Sequence, residues 1–299
     1  MIDLKYYSPE ENITDDLLKE KGLSLHIKRD DLIHPFISGN KWRKLKYTLR
    51  KAVSENKDQL VTYGGAYSNH LLATACAAAK FGFKSTGIVR GEPVENDTLM
   101  LCRLFGMELT FVDRTNYRDK GGIFIELFGR DPNAFFIDEG GSCEEAVKGC
   151  AELVGELNQN FDHLFCASGT GATAAGILKG LEQAKLSTRL HSIAVLKEGT
   201  FIKTAIEKYC PQCPEFCLHT DYHFGGYAKT QPELLKFMQN FSSRTGILLD
   251  PVYTGKMMFA IYDLVEKDYF KPDSKILAVH TGGLLGLLGM TKKISLEIS

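Results

Sequence analysis

Apolar and polar positions along the chain alternate between two patterns. Short continuous apolar runs predict strands at 60–63, 85–90, 109–113, 134–138, 163–167, 191–196 and 276–280. Between them, apolar positions three and four residues apart predict helices near 68–81, 94–106, 119–128, 143–158, 171–185, 200–209, 230–244 and 255–268. Strands that are apolar throughout are typical of parallel sheets buried on both faces. The alternation therefore predicts an α/β protein whose mostly parallel sheet is covered by helices on both faces.

A basic segment near the N-terminus stands apart from this alternation. A Ser-Gly-Asn turn precedes a helical pattern that begins at Lys41 and runs to about Ser54. We expect Ser38 or Asn40 to cap this helix, which places Lys41 in its first turn. The positive end of the helix dipole and the ammonium of Lys44 both disfavour a charge on Lys41. A lysine with a lowered pKa suits Schiff-base chemistry, although a solvated basic helix would show the same pattern.

Composition narrows the class of protein. The 299 residues carry a formal net charge of −1, without the basic excess typical of nucleic-acid binding. No apolar run approaches the length of a membrane span, and residues 1–16 are polar and acidic rather than a signal sequence. The eight cysteines are scattered, which suits a reducing compartment. We therefore expect a cytoplasmic protein that binds neither nucleic acid nor membrane.

Three predicted strands end in glycine-rich turns. The first turn, 62–70, ends in Ser-Asn-His and offers amides and polar side chains that suit a carboxylate. The second, 168–176, has free amides and two threonines but no lysine or arginine, which suits a phosphate monoester. The third is His-Thr-Gly-Gly at 280–283. Ligands of open α/β sheets bind at the carboxyl ends of the strands, so these turns and Lys41 indicate an active site.

The second turn also allows a different function. Glycines at 169 and 171 and an alanine at 174 match the loose dinucleotide-binding pattern. A nicotinamide-dependent dehydrogenase is therefore an alternative. It would leave Lys41, Ser68 and Asn69 without a role.

Two further stretches carry candidate chemistry. Tyr253 lies in Asp-Pro-Val-Tyr-Thr-Gly-Lys at 250–256, and Tyr227 follows two glycines. Each phenol could act as an acid–base group or simply pack. A cluster of Cys210, Cys213, Cys217, His219 and His223 has a spacing that would allow zinc, but two prolines make it an irregular connection. We predict no metal.

Five motifs occur in a fixed order along the chain. They are Ser-Gly-Asn-Lys-x-Arg-Lys-Leu at 38–45, Ser-Asn-His at 68–70, the loop 168–176, the motif 250–256 and His-Thr-Gly-Gly at 280–283. Together they resemble the 1-aminocyclopropane-1-carboxylate deaminase/D-cysteine desulfhydrase family of pyridoxal-phosphate enzymes, within the tryptophan-synthase-β fold group. The resemblance runs from about Lys28 to Gly289.

The resemblance implies pyridoxal 5'-phosphate as the cofactor and a set of residues that bind it. Lys41 would carry the cofactor as a Schiff base and move the proton of the substrate α-carbon. The other cofactor-binding residues would be Lys44, Asn69, Gly169, Thr170, Gly171, Ala172, Thr173, Thr254 and Thr281. Among these, Asn69 would meet the phenolic oxygen, the 169–173 loop the phosphate, and Thr281, with Thr254, the pyridine nitrogen.

It also implies how a small amino-acid substrate is bound. The substrate-binding residues would be Ser68, Asn69, His70, Tyr227 and Tyr253. Ser68 and the neighbouring amides would hold the carboxylate, and the two tyrosines would flank the substrate. Together with Lys41, the residues Ser68, Tyr227 and Tyr253 form the implied catalytic set.

Two positions separate the activities of this family. Its deaminases resemble one another in having Glu and Leu where this chain has Thr254 and Thr281, and its desulfhydrases are similar to this chain. A hydroxyl leaves the pyridine nitrogen largely neutral, which suffices to expel sulfur, whereas a carboxylate favours ring opening. We predict D-cysteine desulfhydrase-type β-elimination to pyruvate, ammonia and sulfide. The alternatives are a ring-opening 1-aminocyclopropane-1-carboxylate deaminase and a catalytically idle cofactor-binding relative.

The family likeness also implies the domain organisation. Residues 1–44 together with 136–299 would form a large cofactor-binding domain, and 45–135 a small inserted domain. Each would be an open, twisted, mostly parallel sheet with helices on both faces, with the cofactor in the cleft between them. A homodimer is implied in the same way. Trp42 and Tyr67 replace smaller or polar residues of the family, so they either narrow the pocket or pack at the domain interface.

Overall fold

The computed structural model describes residues 2–212 and 214–290, which form two sheets. In chain order, the strands are β1 (Glu10–Ile13), β2 (Ser24–Lys28), β3 (Gln59–Gly65), β4 (Lys84–Arg90), β5 (Met107–Val112), β6 (Ala134–Ile137), β7 (His163–Ser168), β8 (Arg189–Ala194), β9 (Phe216–His219) and β10 (Lys275–Val279). The larger sheet has the order β1-β2-β10-β7-β8-β9, and the smaller has the order β5-β4-β3-β6. Only the β1–β2 pair is antiparallel among the described strands.

Helices connect and cover these strands. They are α1 (Asp16–Glu20), α2 (Asn40–Ser54), α3 (Asn69–Phe81), α4 (Asp97–Leu104), α5 (Lys120–Phe128), α6 (Glu144–Gly155), α7 (Ala172–Gln183), α8 (Phe201–Tyr209), α9 (Pro232–Thr245) and α10 (Thr254–Glu266). Short 3-10 turns lie at Asp30–Leu32, Asn116–Arg118, Glu139–Gly141 and Leu284–Met290. Within the described residues, no helix is both long enough and apolar enough to cross a membrane.

The predicted elements are present, and the α/β class with mostly parallel sheets is confirmed. Each predicted strand and helix lies within a few residues of an observed one. The strands β1, β2 and β9 and the five-residue helix α1 were not predicted. Two of these strands, β1 and β9, are edges of the larger sheet; β1 has a single apolar residue, and β9 lies in the cysteine and histidine cluster that two prolines made an irregular connection.

The larger sheet is buried on both faces. Along β7, Phe165 and Ala167 belong to the core under α9 and α10, whereas Leu164 and Cys166 belong to the core under α6, α7 and α8. Successive side chains of a strand point to opposite faces, so this apolar run fills two cores at once. The sheet is therefore held between two cores, and the loops of the candidate site follow the carboxyl ends of its strands.

The smaller sheet is covered in the same way. Leu60 of β3 packs with α2 and α3, and Val61 and Tyr63 pack on the opposite face with α5. The four strands of this sheet lie within 59–137, and α2 spans the boundary that we expected at residue 44. The expected domain boundaries stay a prediction.

The first of the two bulky departures from the family packs in the core. Trp42 is fully buried among residues of α2, α3 and β3, and its ring stacks on Phe81 with the centroids 5.8 Å apart. Trp42 is therefore a packing residue. Tyr67, in contrast, is half exposed, and its ring lies against Gly289 in the last 3-10 turn.

Candidate active site

Turns from both sheets meet the start of α2 at the carboxyl ends of the strands. Gly39 lies against the backbone of Thr281 so closely that a Cβ would not fit between them. A Cβ on Gly283 would lie 2.8 Å from the side-chain nitrogen of Asn69, and one on Gly140 would lie 3.3 Å from Thr170. The turns predicted at 62–70, 168–176 and 280–283 are therefore brought to one place, beside the helix that carries the candidate lysine.

The start of α2 differs from the prediction. The residue that caps it is Gly39, in a left-handed conformation with φ of 56°, and no side chain caps the helix. Asn40 is the first helical residue, and its side-chain amide donates to Thr173 Oγ1 at 3.0 Å. The prediction that Ser38 or Asn40 caps α2 is wrong because a contact with a distant loop replaces the local one. That contact ties the start of α2 to the 168–173 loop.

Lys41 lies in the first turn of α2, as predicted. Its Nζ lies 3.5 Å from the carbonyl oxygen of Gly140, and Lys44 donates to the same oxygen at 3.0 Å. Burial, and secondarily the charge of Lys44, lower the pKa of Lys41 well below its ordinary value of 10.5. Part of the side chain stays accessible. The lowered pKa of Lys41 therefore favours its neutral amine, which is the form that attacks a carbonyl group.

The loop between β7 and α7 offers free donors. Its residue Gly171 has a left-handed φ of 80° and begins α7 without any side-chain cap. The first amides of α7 therefore have no side-chain acceptor, and the helix dipole adds positive potential there. Thr170 Oγ1 accepts a hydrogen bond from Ser142 Oγ at 2.7 Å, and its proton remains available for donation. Thr173 accepts from Asn40, and its hydroxyl also makes a side-chain hydrogen bond with the thiol of Cys150.

The same loop is shaped for a close ligand. A Cβ on Gly169 would lie 3.4 Å from the hydroxyl of Tyr253, so a side chain there would fill the space in front of that phenol. Ala172 is fully buried, so its side chain does not occupy the space in front of the loop. Uncapped amides, the hydroxyl donor of Thr170 and the absence of bulky side chains form a donor set that suits a phosphate monoester. The residues present fit the phosphate of the expected cofactor, and Lys41 fits its aldehyde.

Ser68 and Asn69 lie at the start of α3. Ser68 caps the helix, because its Oγ accepts from the amides of His70 and Leu71 at 3.2 and 3.3 Å. An accepting hydroxyl keeps its own proton, so Ser68 can still donate to a substrate carboxylate. Asn69 is the first residue of the helix and faces Gly283.

His70 is buried and neutral. Its Nε2 lies 2.8 Å from Thr62 Oγ1, and its Nδ1 has no hydrogen-bond partner among the described residues. Burial, and then the charges of Lys41 and Lys44, hold the pKa of His70 well below its ordinary value. The ring lies against Gly141. His70 therefore lines the site as a neutral imidazole beside both lysines.

The two candidate tyrosines face each other. The rings of Tyr227 and Tyr253 meet edge to face, with the centroids 6.1 Å apart. Burial raises the pKa of both phenols above their ordinary value. Both therefore stay protonated near neutral pH and can only donate their proton, or accept at the oxygen, as neutral hydroxyls.

The two candidate threonines differ in availability. The hydroxyl of Thr254 donates to Asp250 Oδ2 at 2.9 Å and accepts from the amide of Asp250 at 2.8 Å. The hydroxyl of Thr281 has no hydrogen-bond partner within the described ranges. Thr281, and not Thr254, therefore has a hydroxyl to offer to a ligand.

Sequence reasoning missed the segment that receives both lysines. Gly140 and Gly141 lie in the 3-10 turn Glu139–Gly141, and the carbonyl of Gly140 accepts from Lys41 and Lys44. The signal was present, because this glycine pair follows the predicted strand 134–138 as the other glycine-rich turns follow theirs.

The cysteine and histidine cluster shows no arrangement for a metal in the described part. Cys213 lies outside the described residues. Among the residues that are described, no group of three His, Cys, Asp or Glu side chains could hold a metal ion. His219 instead lies with its Nε2 3.0 Å from Nδ1 of His191, within the larger sheet.

A family model described as pyridoxal-phosphate dependent enzyme matches residues 14–282. The chain belongs to this family. A putative 1-aminocyclopropane-1-carboxylate deaminase from Pyrococcus furiosus is 32% identical over 302 residues, covering 93% of this chain and 90% of that protein. A mitochondrial bifunctional D-cysteine desulfhydrase/1-aminocyclopropane-1-carboxylate deaminase from Arabidopsis thaliana is 31% identical over 297 residues, covering 89% and 74%. The crystal structure of an ACC deaminase homologue superposes with a TM-score of 0.88 at 30% identity, covering 98% and 94%.

Membership of the pyridoxal-phosphate dependent enzymes decides between the hypotheses raised by the sequence. It confirms the enzyme class, the pyridoxal 5'-phosphate cofactor and the fold group. The dinucleotide interpretation of the 169–174 pattern is left without support. The roles of the individual site residues stay predictions, to which the geometry above adds its distances and pKa directions.

Proposed function

We propose that this pyridoxal-phosphate dependent enzyme is a D-cysteine desulfhydrase-type lyase. Its substrate is a small amino acid with a sulfur leaving group on the β-carbon, and its products are pyruvate, ammonia and sulfide. The observation that carries the proposal is the position of Lys41, whose pKa is lowered by burial, at the meeting point of the glycine-rich turns, with Thr281 beside Gly39. A hydroxyl in this position favours elimination over ring opening, because it leaves the pyridine nitrogen largely neutral.

Binding of the reactants is assigned to two helix starts. The uncapped amides of α7 and the hydroxyls of Thr170 and Thr173 would hold the phosphate. The hydroxyl of Ser68 and the amide of Asn69 would hold the substrate carboxylate at the start of α3. Because the two helix starts lie on loops fixed by buried sheets, the substrate α-carbon would be positioned near Lys41.

Proton movement is assigned to Lys41. When bound, pyridoxal phosphate delocalises the electron pair left on the α-carbon as its proton departs. Lys41 takes that proton on Nζ, which its lowered pKa leaves free to accept it. Lys44, whose pKa is also lowered by burial, donates to the Gly140 carbonyl at 3.0 Å, closer to that oxygen than Lys41 at 3.5 Å.

Departure of the sulfur is assigned to the tyrosine pair. As the electron pair returns from the α-carbon, the Cβ–S bond breaks and the sulfur leaves with both bonding electrons. The protonated phenols of Tyr227 and Tyr253 can donate a hydrogen bond to the leaving sulfur. The unsaturated amino acid that remains takes up water and yields pyruvate and ammonia, so the atoms balance.

The experiment is a substrate comparison with the cofactor-loaded protein. D-cysteine, L-cysteine and 1-aminocyclopropane-1-carboxylate are supplied separately, and sulfide, 2-oxo acid and ammonia are quantified. The proposal expects equal amounts of sulfide, pyruvate and ammonia from D-cysteine. Absence of sulfide and pyruvate from both cysteines would sink it, and cofactor retention without turnover of any substrate would indicate an idle relative.

A second candidate function is the ring-opening deaminase. It is supported by the name of the relative that matches 93% of this chain. The same experiment separates the two, because ring opening of 1-aminocyclopropane-1-carboxylate yields 2-oxobutyrate and ammonia without sulfide.

The proposal includes a homodimer in the cytoplasm, as the family resemblance and the scattered cysteines suggested. Sedimentation equilibrium of the cofactor-loaded protein tests the dimer. A single species with the mass of one chain at micromolar concentration would contradict it.

A further inference from the structure

Lys256 is a buried charge that the proposed reaction does not use. It is the third residue of α10, and its side chain has no exposed surface. Its ammonium donates to three backbone carbonyls, those of His223 and Gly226 at 2.8 Å and that of Val195 at 3.3 Å. These oxygens come from two separate segments, the end of β8 and the loop that leads to Tyr227. One side chain therefore joins three parts of the large domain.

The loop around this ammonium has an unusual backbone. Four of its residues have positive φ: Phe224 (52°), Gly225 (92°), Gly226 (119°) and Ala228 (53°). Left-handed backbone is unfavourable for residues with a Cβ, so Phe224 and Ala228 hold it only because their surroundings enforce it. The chain turns so that two of its carbonyls face inwards onto Lys256.

These inward carbonyls have little other support. The carbonyl of His223 also accepts the amide of Gly226, and the carbonyl of Gly226 accepts the amide of Lys229. Each oxygen has two lone pairs, so the ammonium takes the second one in both cases. Phe224 adds an apolar anchor, since its ring packs edge to face on Phe259. Without a cation at its centre, the loop would be left with that anchor and with local turn hydrogen bonds.

An ammonium among backbone carbonyls is the arrangement by which proteins bind small monovalent cations. Carbonyl oxygens replace the hydration shell of K⁺ in the same manner, and the lysine ammonium is a compact point charge. Burial lowers the pKa of Lys256 to about 8, and the carboxylate of Asp250 opposes that shift. The side chain is therefore still mostly charged near neutral pH. It differs from a bound ion mainly in being covalently attached to α10.

We propose that Lys256 is a built-in monovalent cation, whose ammonium holds the 223–228 loop and thereby keeps Tyr227 against Tyr253. Shortening this side chain would leave a latent site for a free monovalent cation of the K⁺ or NH₄⁺ class. The effect on Tyr227 in catalysis rests on the proposed function, but the cation site itself does not. Wild-type protein would need no added cation, because its own lysine fills the site.

The test is thermal unfolding of Lys256→Ala without cofactor or substrate. The chloride salts of K⁺, NH₄⁺, Li⁺ and tetramethylammonium are compared at equal ionic strength. In tetramethylammonium, which is too large to enter, the melting temperature of the variant should fall by roughly 5 °C or more. K⁺ and NH₄⁺ should restore at least half of that loss with a saturable dependence, whereas Li⁺ should restore little. Wild-type protein should melt at one temperature in all four salts.

Two further variants keep the test decisive. Lys256→Met fills the space with an apolar chain, so it should be destabilised and should not respond to K⁺. Phe224→Leu weakens the apolar anchor of the same loop and should lower the melting temperature equally in every salt. A response to K⁺ in either variant would indicate a general salt effect and overturn the proposal. So would a Lys256→Ala protein that melts at one temperature in every salt, or that does not fold even in K⁺.

A kinetic measurement adds the link to the reaction. The value of kcat/KM of cofactor-loaded Lys256→Ala should fall about tenfold in tetramethylammonium, through loss of an oriented donor, and recover in K⁺. Melting that responds to K⁺ while kcat/KM does not would support the cation site and contradict its role in placing Tyr227. If D-cysteine is not a substrate at all, the melting series still decides the cation site.

Discussion

Two lysines, each near the start of a helix, show how the same burial can produce opposite chemistry. Lys41 in the first turn of α2 and Lys256 in the first turn of α10 both have a pKa lowered by burial. The nearest acceptor of Lys41 is a single carbonyl at 3.5 Å that Lys44 already occupies at 3.0 Å. Lys256 instead donates to three carbonyls, two of them at 2.8 Å.

Burial alone does not decide whether a buried lysine is charged. Burial disfavours a charge at both sites. The carboxylate of Asp250 and the surrounding carbonyls favour the ammonium of Lys256, whereas the positive charge of Lys44 acts against that of Lys41. One site therefore favours a neutral nucleophile and the other a fixed cation.

Removing the amine of Lys41 should abolish the reaction. In Lys41→Ala the general base is lost, so kcat for pyruvate release should fall by at least about 10³-fold. The control is Lys46→Ala on the same helix, whose ammonium pairs with Glu152 at 2.8 Å, away from the Gly140 carbonyl, and which should retain near wild-type activity. Circular dichroism checks that both variants fold. A Lys41→Ala enzyme within tenfold of wild type would contradict the assigned role.

Alanine at Gly39, in the turn before Lys41, should lower the free energy of unfolding more than alanine at Gly82, in an ordinary turn. Gly39 (φ 56°) is pressed against the Thr281 backbone, whereas Gly82 (φ 78°) has open space around the position of a Cβ. Both alanine variants strain the backbone, by roughly 1–2 kcal/mol, and only Gly39→Ala adds a clash. Its free energy of unfolding should fall by about 3 kcal/mol or more in urea titration, against about 1 kcal/mol for Gly82→Ala. Equal losses would contradict the close meeting of the two turns.

The pH dependence of stability should reveal the lowered pKa of Lys41. Because its folded pKa lies below the ordinary 10.5, the unfolded chain binds more protons between those two values, and stability rises with pH in that window. The slope is at most about 1.4 kcal/mol per pH unit. Cofactor-free Lys41→Met lacks this slope, so it should be the more stable protein at pH 7, by a margin that shrinks toward pH 10.5.

The comparison of wild type with Lys41→Met removes the contribution of Lys256, because both proteins contain that lysine. Its own window, from about 8 to 10.5, cancels in the difference between wild type and Lys41→Met. Urea unfolding at intervals between pH 7 and 10 supplies the measurement. A difference that stays constant with pH would show that Lys41 is an ordinary charged lysine.

The smallest effect should come from Lys44. Its charge helps to lower the pKa of Lys41, so Lys44→Met should raise that pKa by at most about one unit. The rate at which the cofactor-free protein captures pyridoxal phosphate should fall by up to about tenfold at pH 7 and be unchanged at high pH. Lys51→Met, whose parent side chain pairs with Glu145, serves as the control. Equal rates for Lys44→Met and wild type at pH 7 would contradict the claim that Lys44 lowers the pKa of Lys41.

Much of the architecture was accessible from the sequence because its signals are local. The buried strands of both sheets are continuous apolar runs, and the glycine-rich turns at 62–70, 168–176 and 280–283 follow them directly. The fold group also followed from these motifs, through their order along the chain. The strand β1 was missed because only one of its four residues is apolar, and β9 because two prolines beside it indicated an irregular connection.

The features that were not predicted depend on contacts between distant segments. Asn40 looked like a helix cap, but its side chain donates to Thr173, which is 133 residues away. Thr254 was expected to face the cofactor, but its hydroxyl donates to the carboxylate of Asp250 and accepts from the amide of Asp250. The burial of Lys41, the largest cause of its lowered pKa, depends on Gly140 and its neighbours. Lys256 appeared only as the last residue of a motif.

Chemical trapping of the cofactor shows which lysine carries it. The protein is loaded with pyridoxal phosphate, reduced with borohydride and digested, and the modified lysine is identified by mass spectrometry. We predict the phosphopyridoxyl group on Lys41 alone, with Lys44 and Lys256 unmodified. Modification of Lys256, or of Lys44 in place of Lys41, would contradict the division between a free amine and a fixed cation on which the account rests.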